Sequence, residues 1–295
     1  MKKYILIPSL LVALICTLYL FTNAFKENQV ASAKEYVSIE KLLNEHKISL
    51  DIKGTGGHQE NCIAFDIKNL TNDTIFILIE QGRRFVSGDS DLQDILLVKK
   101  HEFASPPQGK TYKIGYGFCC ESSMRSPSAG SVFKIGFMAP KEWIKVLDLI
   151  NTYDFEAGAI QSAIWVLSDN HDISSVYSKN AEHMNRLRAL LAKVKGIEIP
   201  WYSVSYKQDT AMVFTNQHLK VWGEIDYQIK HNSMVSINVR SLDGMVMEIL
   251  IEDMPVNPGF YTYKMDIPVY DWPKGEYEIN IIDNSNLLIK KKFKL

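Results

Sequence analysis

Three cysteines, a glutamine and a short His-x-Glu-x-Cys run are the side chains of this 295-residue chain whose types and spacing could do chemistry. Cys62 stands alone, whereas Cys119 and Cys120 are neighbours in Phe118-Cys119-Cys120-Glu121. In an oxidising compartment two of three such thiols pair. Adjacent cysteines close a ring on each other only with strain, so the spacing predicts a disulfide from Cys62 to Cys119 or Cys120, and one thiol left over. His58, Glu60 and Cys62 alternate along a strand-like run; on one face, with Cys119 or Cys120, they would offer zinc imidazole and thiolate ligands. Gly56-Gly57 just before them reads as a turn, and oxidation favours the disulfide, so no metal and no cofactor is expected. Gly88-Asp89-Ser90-Asp91 alternates carboxylates as a calcium loop does, but the glycine and the closing glutamate are missing, which leaves a solvated loop.

The oxidising compartment follows from the N-terminus. Lys2 and Lys3 precede an apolar run from Tyr4 to Phe21, and Thr22-Asn23-Ala24 places small residues where a signal peptidase reads them. Pro8-Ser9 shortens the apolar core to Leu10–Phe21, less than a bilayer span, so the segment is expected to be cleaved after Ala24. Cys16 leaves with it, and about 270 residues remain, one large or two ordinary domains. Lys and Arg number 33 against 34 Asp and Glu, a balance that argues against nucleic acid or an anionic membrane as partner.

The elements that must position these residues change period along the chain. Residues 25–46 are polar, a linker with one short periodic stretch from Val37 to Leu43. Ile48-Leu50-Ile52, Ile63-Phe65-Ile67, Ile75-Ile77-Ile79, Ile95–Val98 and Tyr112-Ile114-Tyr116 alternate as strands between turn-forming clusters, at the spacing of a β-sandwich. Residues 139–196 then read as three helices: one opening at Pro140, one over Glu156–Leu167, and one capped by Asn180 and ended by Gly196. Strand alternation resumes at Tyr202, with Asp243-Gly244 and Lys274-Gly275 as turns, and Pro200-Trp201 marks the boundary. The expected fold is mainly β with an α-helical insert: a signal peptide over 1–24, a linker over 25–46, a β-sandwich with the helical region over 47–200, and a C-terminal immunoglobulin-like sandwich over 201–295.

On the second helix Gln161 and Trp165 lie one turn apart on one face. Phe118-Cys119-Cys120, with Ile160-Gln161-Ser162-Ala163-Ile164-Trp165, resembles the thioester domains of bacterial surface adhesins. That resemblance implies that Cys119 or Cys120 condenses with Gln161, losing ammonia, to give a buried thioester that acylates a partner's amine, with Trp165 walling it off. Val235–Val239, Ser241–Gly244, Pro258–Tyr261, Lys274–Tyr277 and Lys292-Phe293 resemble immunoglobulin-like hook-capping modules and the C-terminal sorting domains of type IX secretion cargo. That second resemblance implies delivery to the cell surface.

No nucleophile elbow, phosphate-cradling glycine loop or HExxH motif occurs, so no catalytic residue is assigned. The sequence reads as an exported bacterial cell-surface or periplasmic binding protein without enzymatic turnover. Its expected partner is a surface protein or glycan, with membrane contact only through the signal segment during export. A covalent adhesin using the thioester, or a secreted hydrolase with dispersed catalytic residues, are the alternatives. Mass spectrometry of the exported protein is expected to find its N-terminus at Phe25; a chain that still carries Leu10–Phe21 would show that the segment is a retained anchor.

Overall fold

A computed structural model of the chain describes residues 34–207 and 213–295; the signal segment, Cys16 and the first part of the linker lie outside them. The architecture is mainly β with a helical insert, as the alternation predicts. No helix among the described residues is long and apolar enough to cross a membrane. In the first part β1 (Val37–Ser38) and α1 (Ile39–Asn44) precede β2 (Ile48–Thr55), β3 (Gln59–Asn69), β4 (Ile75–Ile79), β5 (Arg83–Ser87), β6 (Ile95–Leu97), β7 (His101–Ser105), β8 (Lys110–Cys119) and β9 (Ala129–Met138). The order β2-β3-β8-β6-β5-β9 closes into a barrel, and β1-β4-β7 forms a small sheet beside it. Alternation specifies half-buried strands but not whether a sheet closes on itself.

From Val37 on, the expected linker is not a tether. Val37 pairs with Ile77 of β4, and Ile39 and Leu42 of α1 are buried in the same core as Phe65 and Phe85. The barrel interior is narrow, and β8 shows why. Gly115 and Gly117 sit on its inward face, where a Cβ on Gly117 would come within 2.5 Å of Ile95 Cγ2 and one on Gly115 within 2.8 Å of Phe65 Cε2. Cys119, two residues further, points into this core together with Cys62, whereas Phe118 and Cys120 face the other way.

What Phe118 and Cys120 face is the helical layer: α2 (Lys141–Thr152), α3 (Ala157–Ser168), a single 3-10 turn (Ile173–Ser175) and α4 (Ala181–Lys195). The expected caps are in place. Pro140 precedes α2, the Asn180 side chain accepts from the His183 amide at 3.1 Å, and Gly196 closes α4 in the left-handed region at φ 68°. α3 is apolar nearly all round and buried along most of its length, as a helix caught between two layers must be.

The C-terminal part holds β10 (Tyr202–Tyr206), β11 (His218–Ile229), β12 (Ser233–Ser241), β13 (Val246–Val256), β14 (Gly259–Pro268), β15 (Glu276–Asp283) and β16 (Asn286–Lys294). Two antiparallel sheets, β10-β11-β14 and β13-β12-β15-β16, enclose one core that includes Val221, Ile225, Ile237 and Ile279. Asp243-Gly244 turns β12 into β13, with Gly244 at φ 92°. Lys274-Gly275 instead leads into β15, and Gly275 exchanges backbone hydrogen bonds with Leu295.

One side chain ties this sandwich to the helices. Arg188 of α4 is 4% exposed and donates to Val176 O at 2.8 Å, Ser174 O at 3.0 Å, Tyr202 O at 3.0 Å and Ser203 Oγ at 2.8 Å. Burial pulls its pKa down to about 10, so it stays charged at neutral pH, held by neutral acceptors. Arg188→Met is expected to lower the unfolding free energy by about 3 kcal/mol in urea titration, because several buried acceptors lose their donor at once. Arg188→Lys should recover little of it, since one ammonium cannot span four acceptors. A loss below ~1 kcal/mol would show that the clamp is incidental.

Candidate functional site: a ring-lined cleft where three layers meet

α3 docks on the end of β8 through two polar side chains two turns apart. Gln161 Nε2 donates to Cys119 O at 2.8 Å, and Ser168 Oγ donates to Cys120 O at 2.7 Å. These bonds satisfy carbonyls that the strand leaves behind where it ends. The helix closes with Asn170 in the left-handed region at φ 55°, and the His171 amide reaches back to Trp165 O at 3.3 Å. That closure folds the His171 ring against Trp165, with ring centroids 5.3 Å apart.

The cluster continues into the C-terminal sandwich. Phe214 lies 5.6 Å from Trp165 and 4.3 Å from His171, and Tyr206 lies 4.7 Å from Phe214. Tyr206, Phe214 and His171 form a wall shared by two cavities. One, of about 510 Å³, is bounded by His58 and Gln59 at the barrel rim, Gln161 and Trp165 on α3, and Tyr177 and Trp222 opposite. The other, of about 660 Å³, is charged, with Asp169, Asp172, Lys195, Lys274 and Lys294 on its walls. Gln161 and Trp165 line the first cavity, and their Oε1 and Nε1 atoms are buried without a hydrogen-bond partner among the described residues.

Ser122, Asp169 and His171 sit together at the second cavity. Asp169 Oδ2 accepts from both the backbone amide and the hydroxyl of Ser122, and His171 Nε2 lies 2.7 Å from Ser122 Oγ. The hydroxyl has one proton, and the carboxylate, an acceptor only, takes it. His171 is therefore the donor at Nε2, and Nδ1 is its acceptor side. Burial lowers the pKa of His171 against the opposing pull of Asp169, which keeps the ring neutral at pH 7. In a hydrolytic triad the carboxylate bears on the histidine and the histidine accepts from the serine. Here carboxylate and imidazole converge on the same hydroxyl instead of acting in series, with Asp169 Oδ2 also 3.6 Å from His171 Nε2, and the trio anchors the His171 ring.

The three thiols follow the barrel rather than the expected pairing. Cys62, Cys119 and Cys120 are free and buried, so the bridge from Cys62 to Cys119 or Cys120 is not made. Cys62 Sγ donates to Gly117 O at 3.2 Å, and strand alternation turns Cys120 out of the barrel that holds Cys62. Burial pushes the Cys62 and Cys120 thiols up to about 12, and burial with the nearby Cys62 and Cys120 raises Cys119 as well. These are packed thiols, poor as nucleophiles at neutral pH. The expected neighbourhood of Cys119, Gln161 and Trp165 does form, but the hydrogen bond of the Gln161 amide runs to the Cys119 carbonyl oxygen. Among the described residues His58, Glu60 and Cys62 are not part of a metal-holding cluster, and Glu60 takes φ 63° at a bulge opposite β8. Sequence reasoning did not single out Ser122, Asp169, His171, Tyr206 or Phe214. The Asp169-Asn170-His171 run after an apolar helix is a readable cap, but nothing in the sequence joins it to residues forty positions away.

The thiols are expected to resist an aromatic disulfide reagent in the native protein, with three reacting after denaturation in guanidinium. A mass lower by two hydrogens would restore the disulfide, and a loss of ammonia would restore the thioester.

No family profile and no curated protein sequence matches the chain. Among solved structures, a selenomethionine-labelled beta-glucosidase from Kluyveromyces marxianus aligns with 79% of this chain at 11% identity and a TM-score of 0.19, a likeness too slight to inform fold or activity. This chain spans 44% of that chain's length.

Proposed function

We propose that this is an exported bacterial cell-surface or periplasmic binding protein that works without turnover and seats a surface partner in the ring-lined cleft. The observation that carries the reading is the cavity of about 510 Å³ to which barrel rim, buried helix and C-terminal sandwich each give a wall. A concave, aromatic-lined site with a few polar groups at the meeting of structural layers is the usual form of a ligand site. The N-terminal sequence supports export.

The C-terminal sandwich, immunoglobulin-like in its sequence pattern, is in this reading both a wall of the site and the module that docks or delivers the protein at the surface. A covalent role is the second reading. It is favoured by the approach of Gln161 to Cys119 and opposed by the raised thiols. The mass measurement on the native protein separates the two.

Fluorescently labelled protein added to intact cells of the source bacterium is expected to be retained saturably. A Phe214→Ala/Trp222→Ala variant with unchanged melting temperature should be retained about tenfold less, because aromatic anchors in a pocket carry most of the binding energy. Equal retention of the two proteins would remove the cleft from the binding role.

A further inference from the structure

The four strands at the edges of the C-terminal sandwich are not equally closed to another chain. An edge strand presents a row of unpaired N–H and C=O groups, which folded proteins blunt with bulges, short length, charge or a covering group. Three of these edges are blunted. β10 is five residues long, and its register shifts between Ser205 and Tyr206. β13 slips three times against β12. On β16 Trp201 Nε1 donates to Lys292 O, and the Tyr202 hydroxyl accepts from the Lys294 amide at 3.0 Å. β14 is the fourth edge, and it pairs with β11 from Gly259 to Pro268 without a shift.

The ladder itself tells which groups of β14 are open. The Val269 amide donates to Leu219 O at 3.0 Å, next to the Lys220–Pro268 pair, and bonded and non-bonded pairs alternate along an antiparallel ladder. Tyr261, Tyr263 and Met265 therefore bond to β11. Phe260, Thr262, Lys264 and Asp266 turn their N–H and C=O to the open side, where the described residues supply no partner. Pro268 falls in the same row, where a missing N–H breaks no bond of the sheet. Those four residues also carry their side chains on the solvent face, with Phe260 84% exposed, while Met265 and Ile267 lie in the core.

We infer that β14 is the pairing edge of a two-fold dimer of this chain, antiparallel to the same strand of a second copy and centred on Met265. The charges select that centre. Lys264 and Asp266 stand two residues apart on one face, so a dyad on Met265 sets each against the opposite charge of the second copy. A dyad on Lys264 would oppose lysine to lysine, and one on Tyr263 would oppose Asp266 to Phe260. Within one copy Asp266 is 2.7 Å from Lys220 and Lys264 is 3.7 Å from Glu224, so the chosen dyad joins these bridges into one row of alternating charge across both copies. A lysine alone blunts an edge by repelling a second copy; a lysine beside an aspartate has a register in which it attracts one. Exposed ion pairs contribute little energy, so the charges set the register and the backbone bonds supply the affinity. The contact is isologous and closes at two chains. No residue of β14 lines either cavity, so pairing uses none of the described walls of the cleft.

Sedimentation velocity of the mature chain, from about 1 μM to about 1 mM, the weak half of the affinity scale, is expected to show a monomer–dimer equilibrium. Lys264→Glu and Asp266→Lys each set like charges against one another at both contacts and should weaken the dimer about tenfold. An equimolar mixture of the two variants restores opposite charges at every contact and should recover it. Thr262→Pro removes an N–H that faces the open side and breaks no bond to β11, so it should abolish the dimer with the fold retained. Should the proline variant unfold, the two charge reversals, both at exposed positions, decide alone. Monomer at every concentration, growth past the dimer, a mixture no tighter than its separate components, or a dimer that a folded Thr262→Pro leaves intact overturns the pairing.

Discussion

Everything that faces the cleft depends on a buried guanidinium whose hydrogen-bond acceptors are all neutral oxygens. Arg188 reaches backwards to the 3-10 turn through Ser174 and Val176 and forwards to the first strand of the sandwich through Tyr202 and Ser203. Only arginine can do this, because its planar fork carries five donors in fixed directions. The desolvation that lowers its pKa is opposed by the charge of nearby Asp172, while its hydrogen bonds all run to neutral oxygens. A carboxylate in the same place would satisfy one side of the fork and release the others. With neutral acceptors drawn from two layers, the charge itself becomes the joint between them.

α3 is held by a different balance. Its surface is apolar where it meets the barrel and the other helices, so its few polar side chains must find partners or face a cavity. Gln161 and Ser168 find the carbonyls that end β8, and Asp169 finds Ser122. What remains is one oxygen of Gln161 and the indole nitrogen of Trp165, both buried without a hydrogen-bond partner among the described residues. The same closure of α3 that turns His171 onto Trp165 fixes the imidazole as a neutral wall. Preorganised rings with little freedom to lose suit a binding surface.

The helices were legible in the sequence because their signals are local. Asn180 and Gly196 bound α4 to the residue, and the i, i+3, i+4 spacing of Trp143, Val146 and Leu147 locates α2. The strands were legible as strands, but closure of six of them into a barrel depends on pairings such as β2 with β9, separated by some eighty residues. The cysteines failed for a related reason. Alternation already separates Cys119 from Cys120 onto opposite faces, yet only the barrel says which face Cys62 shares. Gln161 and Trp165 could be seen as one helical face, while Phe214 and Trp222 carry no local mark of the helix they oppose.

The position of the joint also decides what kind of boundary Pro200-Trp201 is. In sequence it divides helices from strands, the place where two domains could hinge. Arg188 bonds Tyr202 and Ser203 immediately beyond it, and Trp201 Nε1 donates to Lys292 O at 2.6 Å, so the chain is pinned as it enters β10. β10 then carries Tyr206 to the wall shared by the two cavities, against Phe214 and next to His171. A hinge here would open the cleft whenever the domains moved. A clamp at the hinge position makes the two domains one binding surface, with Lys207 on one side of the Tyr206–Phe214–His171 wall and charges of both signs on the other among the described residues.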